Sequence, residues 1–132
     1  MVTRTHWKRP PTRGSTTAMS HVTAIEPSGA LYRIDKFEVS AESLSKFMYR
    51  IRWVQRHLGG FTGCRQNLVL TQTSGPGRFN VVTIVEWASS RDMNDAKTRM
   101  LEHYRNEGFN PSEFIARLGV QADMGVYAVV AP

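Results

Sequence analysis

The segment Phe79–Trp87 constrains the fold more than any other part of the sequence. It reads FNVVTIVEW, and such a run of β-branched and aromatic residues predicts a strand. Successive side chains of a strand point to opposite faces, so one face carries Phe79, Val81, Thr83, Val85 and Trp87, and the other carries Asn80, Val82, Ile84 and Glu86. Because both faces hold large aliphatic side chains, we expect both faces of the sheet to be covered.

Strand and helix patterns alternate along the rest of the chain. Leu31–Val39 predicts a first strand, and Ser40 is positioned to cap a helix with Glu42 in its first turn. The apolar stripe of this helix runs from Leu44 to Leu58. The other predicted elements are a strand within 61–73 that is clearest at Asn67–Thr71, a hairpin turn at 74–77 that leads to the strand 79–87, a helix that Ser89 or Ser90 caps and Gly108 ends, a short helix from Asn110 to Leu118, and a last strand from Asp123 to Val130.

This order is the β-α-β-β-α-β of a ferredoxin-like α+β domain, in which helices cover one face of a four-stranded antiparallel sheet. One copy of the chain has no element left to cover the second face. We therefore expect a homodimer through the sheet face, most simply a two-fold one. The alternative is a sheet that tolerates a few exposed valines.

The positive charge of the chain is concentrated near its N-terminus. The net charge is +6, and residues 1–30 contribute +3 of it, from four basic residues against Glu26. Prolines, hydroxyl residues and the lack of any apolar period predict a disordered basic tail at 1–30, followed by one domain at 31–132. Its Ser, Thr and Arg content is also that of a transit peptide, but prolines and a glycine would break the amphipathic helix such a peptide needs. We interpret the tail as an unstructured arm or as an over-extended gene start, with translation beginning at Met19.

The composition also excludes several classes of protein. The single cysteine cannot form an internal disulfide. No apolar run reaches the roughly 18–20 residues that span a bilayer, and residues 1–30 hold no signal-peptide core. We expect a cytoplasmic protein with neither a membrane nor a nucleic acid as partner, because basic and acidic residues are mixed along the domain.

From Leu31 to about Val130 the sequence resembles the antibiotic biosynthesis monooxygenase family of dimeric α+β barrels. The resemblance is carried by the helix around Phe47, the Gly60-Phe61 step, the strand 79–87, and the junction Trp87-Ala88-Ser89. It implies a ferredoxin-like subunit that pairs its sheet with a second copy and holds a ligand cavity between sheet and helices. Some members of the family oxidise aromatic polyketide-type phenols to quinones with O2 and without metal or flavin.

Other members resemble haem-degrading enzymes, which use an Asn, a Trp and a His. Trp87 matches their Trp position. The first strand holds no Asn, however, and His103 follows Trp87 by 16 residues, later than that pattern requires. We therefore do not expect haem degradation.

Three residues are candidates for catalysis: Trp87, Asp35 and His103. Trp87 is a candidate wall of the cavity. Asp35 shares the parity of apolar residues in the first strand, where burial would raise its pKa and suit it to act as a base; a pair with Arg33 is the alternative. His103 is a candidate because imidazole is the side chain most often used as a general acid or base, but it lies one position off the helix stripe, so a solvated surface histidine is the alternative.

Six further residues are candidates for ligand binding: Phe47, Asn67, Asn80, Thr83, Met100 and Tyr104. The aromatic and methionine side chains suit an apolar cavity wall, and plain core packing is the alternative for them. The polar side chains can bind a ligand carbonyl, or they can bind backbone groups. Arg50, Arg52 and Arg56 are interpreted as a solvated helix face, and His57 as a cation at the end of its helix.

The function hypothesis follows from the resemblance and from these residues. We expect a small cofactor-independent monooxygenase that oxidises a small aromatic substrate with O2 and needs no cofactor or metal. The alternative is a non-catalytic ligand-binding or accessory dimer on the same fold, which the lack of a convincing acid–base pair favours. A third hypothesis is a tail that contacts nucleic acid or an anionic surface.

Overall fold

A computed structural model of the chain describes residues 29–131, so the predictions made for residues 1–28 lie outside it. The described residues form an α+β fold with four strands and three helices in the order β-α-β-β-α-α-β. The strands are β1 (Leu31–Glu38), β2 (Cys64–Thr71), β3 (Val81–Trp87) and β4 (Gln121–Tyr127), and the helices are α1 (Leu44–Leu58), α2 (Ser90–Glu107) and α3 (Pro111–Leu118). The predicted ferredoxin-like class is confirmed, with the predicted short helix present as α3.

The four strands form one antiparallel sheet in the order β2-β3-β1-β4. Strand β3, which lies in the segment that constrains the fold most, is therefore one of the two central strands. The predicted hairpin joins it to β2, and the Gln72 N–H donates to the Asn80 carbonyl at 2.9 Å across the base of the loop. A register shift between Cys64 and Gln66 marks the start of β2.

Helix α1 begins later than the sequence predicts. Ser40 does not cap it, because residues 41–43 form a turn, and the helix starts at Leu44 with Ser43 as its N-cap residue. The Ser43 side chain does not bond the helix backbone. Its hydroxyl donates instead to the Leu118 carbonyl at 3.1 Å, so this serine joins the start of α1 to the end of α3.

The predicted caps of α2 and α3 are confirmed. The Ser89 hydroxyl accepts from the Asp92 N–H, and the Asn110 side chain accepts from the Glu113 N–H, both at 3.1 Å. Both helices end at a glycine in the left-handed region, with φ of 66° at Gly108 and 70° at Gly119, a conformation that favours glycine.

The apolar core consists of two clusters on one face of the sheet. The first surrounds Phe37, Phe47 and Val81, with α3 packed against it. The second consists of Val85, Trp87 and Ala96, with residues from the end of α1 and the start of α2 around it. Strand β3 contributes to both clusters, so the gap between them lies at the intervening position on the same face, which is Thr83.

Phe47 is the central packing residue of the first cluster. It is 1% exposed, and its ring centroid lies 4.9 Å from that of Phe37 and 6.4 Å from that of Phe114. It therefore links α1 to both the sheet and α3.

We predict that Phe47→Ala lowers the free energy of unfolding by about 3–5 kcal/mol, the usual effect of removing a buried aromatic ring. Tyr49→Ala on the same helix is the control, because Tyr49 is 71% exposed, and we expect a change within about 0.5 kcal/mol. Urea denaturation of the two variants measures the difference. Equal losses would contradict the assignment of Phe47 to the core.

Candidate functional site

Polar side chains interrupt the helix-facing side of the sheet between the two core clusters. In the strand register, Thr83 of β3 pairs with Asp35 of β1. One step along the same face, Val85 pairs with Arg33 on one side and with Asn67 of β2 on the other. Because polar groups are costly to bury without partners, this part of the face does not close into a continuous apolar core.

A cavity of about 470 Å³ lies at this interruption, between the sheet and the helices. Its apolar wall includes Phe47 and Trp87, which belong to different core clusters, together with Met100 of α2. All three side chains are at least 95% buried. The cavity is large enough for a drug-sized ligand, for which sites of about 300–1,000 Å³ are usual.

Arg33 and Asp35 form an ion pair on the sheet side of the cavity. The Arg33 Nε donates to the Asp35 Oδ1 at 2.7 Å, and the Asp35 side chain is 15% exposed. The same guanidinium contacts the Met124 sulfur of β4, with 3.4 Å between Nη2 and Sδ. A pair with Arg33 is the sequence-based alternative to a free carboxylate at Asp35, and the structure contains this pair.

The pKa of Asp35 is raised above its ordinary value of 3.8. Burial is the largest cause, because it disfavours the charged form, and the nearby Asp123 carboxylate adds a smaller effect in the same direction. The hydrogen bond and charge of Arg33 and the backbone N–H of Gly125 oppose these effects without cancelling them. Asp35 therefore holds a proton more strongly than an exposed aspartate does.

Tyr104 of α2 faces the same part of the cavity. Burial raises the pKa of its phenol, the charges of Arg50 and Arg33 lower it, and that of Asp35 raises it. Its ring stacks on Trp53 at 6.0 Å and lies 5.4 Å from that of Phe109, centroid to centroid. Tyr104 is thus held by aromatic contacts within electrostatic range of three charged groups.

Arg50 also lines the cavity, although its sequence pattern indicates a solvated helix face. Its guanidinium carbon lies 4.0 Å from the centroid of Phe109 and 4.8 Å from that of Trp53. A signal is present in the sequence, since Arg50 lies three residues after Phe47 and four before Val54 and so borders the apolar stripe. Arg52 and Arg56 are exposed as expected.

Asn67 and Thr83 line the cavity as well. The Asn67 side-chain amide donates to the Gln55 carbonyl at 2.7 Å, and the Gln55 amide donates to the Asn67 carbonyl at 2.9 Å. This reciprocal pair fixes β2 against α1, so Asn67 has a structural partner beside the cavity.

The structure does not bring Asn80 or His103 to the cavity. The Asn80 side chain lies before β3, where it accepts from the Val39 N–H and donates to the Val39 carbonyl, both at 2.9 Å. Its amide is therefore engaged by backbone. The ring of His103 lies 4.5 Å from that of His57 and stacks on Phe61 at 6.1 Å, between α1 and α2 and away from the polar groups of the sheet.

Two further observations concern metals and membranes. Among residues 29–131, no group of three or more His, Cys, Asp or Glu side chains is placed to hold a metal ion. Within the same range, no helix has the length and apolar character needed to cross a membrane.

Comparison with solved structures relates this fold to known proteins. A Nitrosomonas europaea protein provisionally assigned as an antibiotic biosynthesis monooxygenase superposes with a TM-score of 0.60 and 12% identity over 82% of this chain and 98% of its own. A single-residue variant of SnoaB of Streptomyces nogalater, described as a cofactor-independent oxygenase, superposes with a TM-score of 0.56 and 11% identity over 80% and 97%. A single-residue variant of MhuD, solved with two manganese protoporphyrins per active site, superposes with a TM-score of 0.59 and 14% identity over 77% of this chain and 96% of its own.

No family model and no curated protein matches the sequence. The structural similarity nevertheless covers most of the chain. The described domain therefore has the fold of the antibiotic biosynthesis monooxygenase-type proteins, as the resemblance implied.

We predict that the Asp35 carboxyl titrates above the ordinary aspartate pKa, and that Arg33→Gln raises its pKa further, because Arg33 favours the charged form. Carbon-detected NMR titration of the carboxyl measures both values. Arg65→Gln is the control, because it removes a guanidinium from the 3.8 Å ion pair with Glu86 and should leave Asp35 unchanged. A lower pKa in Arg33→Gln would contradict the assigned effect of Arg33.

The same pKa shift sets the sign of a stability effect. A carboxyl whose pKa is raised on folding binds its proton more strongly in the folded state than in the unfolded state. Protonated Asp35 therefore makes its whole contribution to stability at a pH below its pKa in the unfolded chain, which is near 3.8. That contribution is lost as the pH rises through the folded pKa.

Proposed function

We propose that this chain is a cofactor-independent monooxygenase that oxidises a small phenolic aromatic compound with O2. The observation that carries the proposal is the cavity itself, in which aromatic and methionine walls meet the partly buried Asp35 carboxyl, whose pKa is raised. An apolar cavity with a few converging polar groups is the usual form of a site for a flat organic ligand. The shared fold with a described cofactor-independent oxygenase supports the proposal.

In this proposal, the phenol ring lies against the apolar wall and its hydroxyl reaches the Arg33–Asp35 pair. Asp35 accepts the phenol proton, and Arg33 stabilises the phenolate that forms. The phenolate is electron-rich enough to reduce O2 directly. Conversion of a phenol to a quinone consumes one O2 and releases one water, so the substrate supplies all the electrons. The apolar wall keeps water from the reactive anion.

Oxygen uptake by the purified, chelator-treated protein tests this proposal against a panel of hydroxylated polycyclic aromatics. We expect one O2 consumed per quinone formed. Asp35→Asn should lower kcat by about 10²–10⁴-fold, the usual contribution of a general base, and Trp87→Phe should lower kcat/KM by altering the cavity wall. Asp95→Asn is the matched control, because Asp95 is exposed on α2, and we expect it to retain full activity. Uptake no higher than that of the Trp87→Phe variant would refute the proposal.

We also propose that two copies pair through the sheet face opposite the helices. Leu68 and Leu70 of β2 are 43% and 45% exposed on this face, and Tyr127 of β4 is 46% exposed. In the register, the two leucines lie beside Ile84 and Val82 of β3. The four side chains form a continuous apolar patch, which a second copy of the same sheet would cover symmetrically.

We predict that the wild-type chain elutes as a dimer of two 14.9 kDa subunits, and that the double variant Leu68→Glu/Leu70→Glu elutes as a folded monomer, because the added carboxylates would face each other across the interface. Tyr49→Glu is the control, since Tyr49 is exposed on α1. Light scattering coupled to gel filtration measures the masses. A monomeric wild type, or a dimeric double variant, would contradict the proposed pairing.

A second candidate function is ligand binding without chemistry. It is favoured by the 2.7 Å bond between Arg33 and Asp35, because this bond occupies the carboxylate that the oxygenase proposal uses as its base. Native mass spectrometry distinguishes the two functions: a bound aromatic that is unchanged after aerobic incubation supports binding alone.

A further inference from the structure

Arg50 is a cavity cation that the proposed chemistry leaves unused. Its Nη1 is buried and has no hydrogen-bond partner within residues 29–131. The guanidinium is held between α1 and the segment after α2 by the ring of Phe109 at 4.0 Å and by that of Trp53 at 4.8 Å. These contacts stabilise the cation but supply no acceptor for its N–H groups. A buried donor without an acceptor is unfavourable unless a ligand provides one.

The charges that line the cavity are unbalanced. They are Arg33, Arg50 and Lys97 against Asp35, three positive groups against one negative. Asp35 is bonded to Arg33 at 2.7 Å, and Lys97 is exposed. Arg50 is therefore the cavity cation with a buried nitrogen, Nη1, that has no hydrogen-bond partner among the described residues.

We propose that Arg50 binds a carboxylate substituent of the flat aromatic ligand that the cavity takes. A planar guanidinium presents paired N–H groups that match the two oxygens of a carboxylate. The rings of Phe109 and Trp53 contact the guanidinium of Arg50 but cannot accept hydrogen bonds as a carboxylate does, and Nη1 is left for such a pairing. A single carboxylate also matches the single charge of Arg50, because Lys97, the other cavity cation without a carboxylate partner in the lining, is exposed.

This inference names the substrate class of the proposed function and takes from it only that the cavity holds a flat aromatic ring. The ring would lie between two polar ends, with its reacting hydroxyl at the Arg33–Asp35 pair and its carboxylate at Arg50. Arg50 then decides specificity, because a ligand without the carboxylate leaves the buried Nη1 of Arg50 without an acceptor. Tyr104, whose phenol pKa both guanidiniums lower, lies in range of both ends.

Two matched probes test the inference without any turnover. Anthraquinone-2-carboxylate and anthraquinone-2-carboxamide have the same ring system and nearly the same size, and as quinones they already have the oxidation level of the expected product. Calorimetric titration measures the affinity of the full-length protein for each. We expect the wild type to bind the carboxylate about 10–100-fold more tightly than the amide, as for hydrogen bonds to a charged group.

Variants on α1 assign this preference to one residue. Arg50→Gln should remove the preference, and Arg50→Lys should retain only part of it, because an ammonium keeps the charge and loses the paired donors. Arg52→Gln removes the same charge from an exposed position of the same helix and should retain the full preference. Circular dichroism checks that each variant is folded, and the comparison of Arg50→Lys with wild type holds even if Arg50→Gln does not fold.

Three results would overturn the inference: equal wild-type affinity for the two probes, an equal loss of preference in Arg52→Gln and Arg50→Gln, or no binding of either probe up to millimolar concentration. Its failure is distinct from that of the proposed oxygenase. A carboxylate preference without oxygen uptake refutes the oxygenase and retains the Arg50 site. Oxygen uptake with neutral phenols, without a preference for the carboxylate probe, retains the oxygenase proposal and refutes the Arg50 site.

Discussion

The structure depends on a break in its own hydrophobic core. The helix-facing side of β3 contributes Val81 to one cluster and Val85 and Trp87 to another, and Thr83 lies between them. The strand register places Asp35 beside Thr83, with Arg33 and Asn67 one step away. Polar side chains need partners to be buried at low cost, and close-packed apolar side chains supply none. The apolar core is therefore divided into two clusters, and the cavity lies between them.

The charged groups of the cavity differ in how far the protein satisfies them. Arg33 and Asp35 bind each other, and burial still raises the pKa of the carboxyl. Arg50 has aromatic partners and no acceptor for its Nη1 among the described residues. Charges in a partly buried site are screened less than surface charges. This contrast is the reason that we propose proton transfer for the Arg33–Asp35 pair and ligand binding for Arg50.

The two faces of β3 have different roles for the same geometric reason. Val81, Thr83 and Val85 face the helices, and Thr83 and Val85 line the cavity. Val82 and Ile84 face the opposite side, next to the half-exposed Leu68 and Leu70. A shift of the register by one residue would exchange the two sets. The cavity and the proposed dimer surface are thus fixed together by one strand pairing.

The sequence by itself determined the class of fold, the element order and most element ends. Alternation of apolar residues, the caps Ser89 and Asn110, and the glycines that end α2 and α3 act over a few neighbouring residues, and such short-range effects can be read from a sequence. The same logic placed Asp35, Thr83 and Trp87 on the helix-facing side of the sheet, because parity along a strand is local.

Only the tertiary structure decided which of these residues meet, and which partners they take. The sequence favours Ser40 as the cap of α1, but the N-cap residue is Ser43, which bonds the end of α3 instead. His103 stacks on His57 and Phe61, Asn80 binds the Val39 backbone, and Arg50 turns toward Phe109. Each of these contacts joins segments that are far apart in sequence. Periodicity fixes the direction of a side chain relative to its own helix or strand, whereas its partner depends on how separate elements pack.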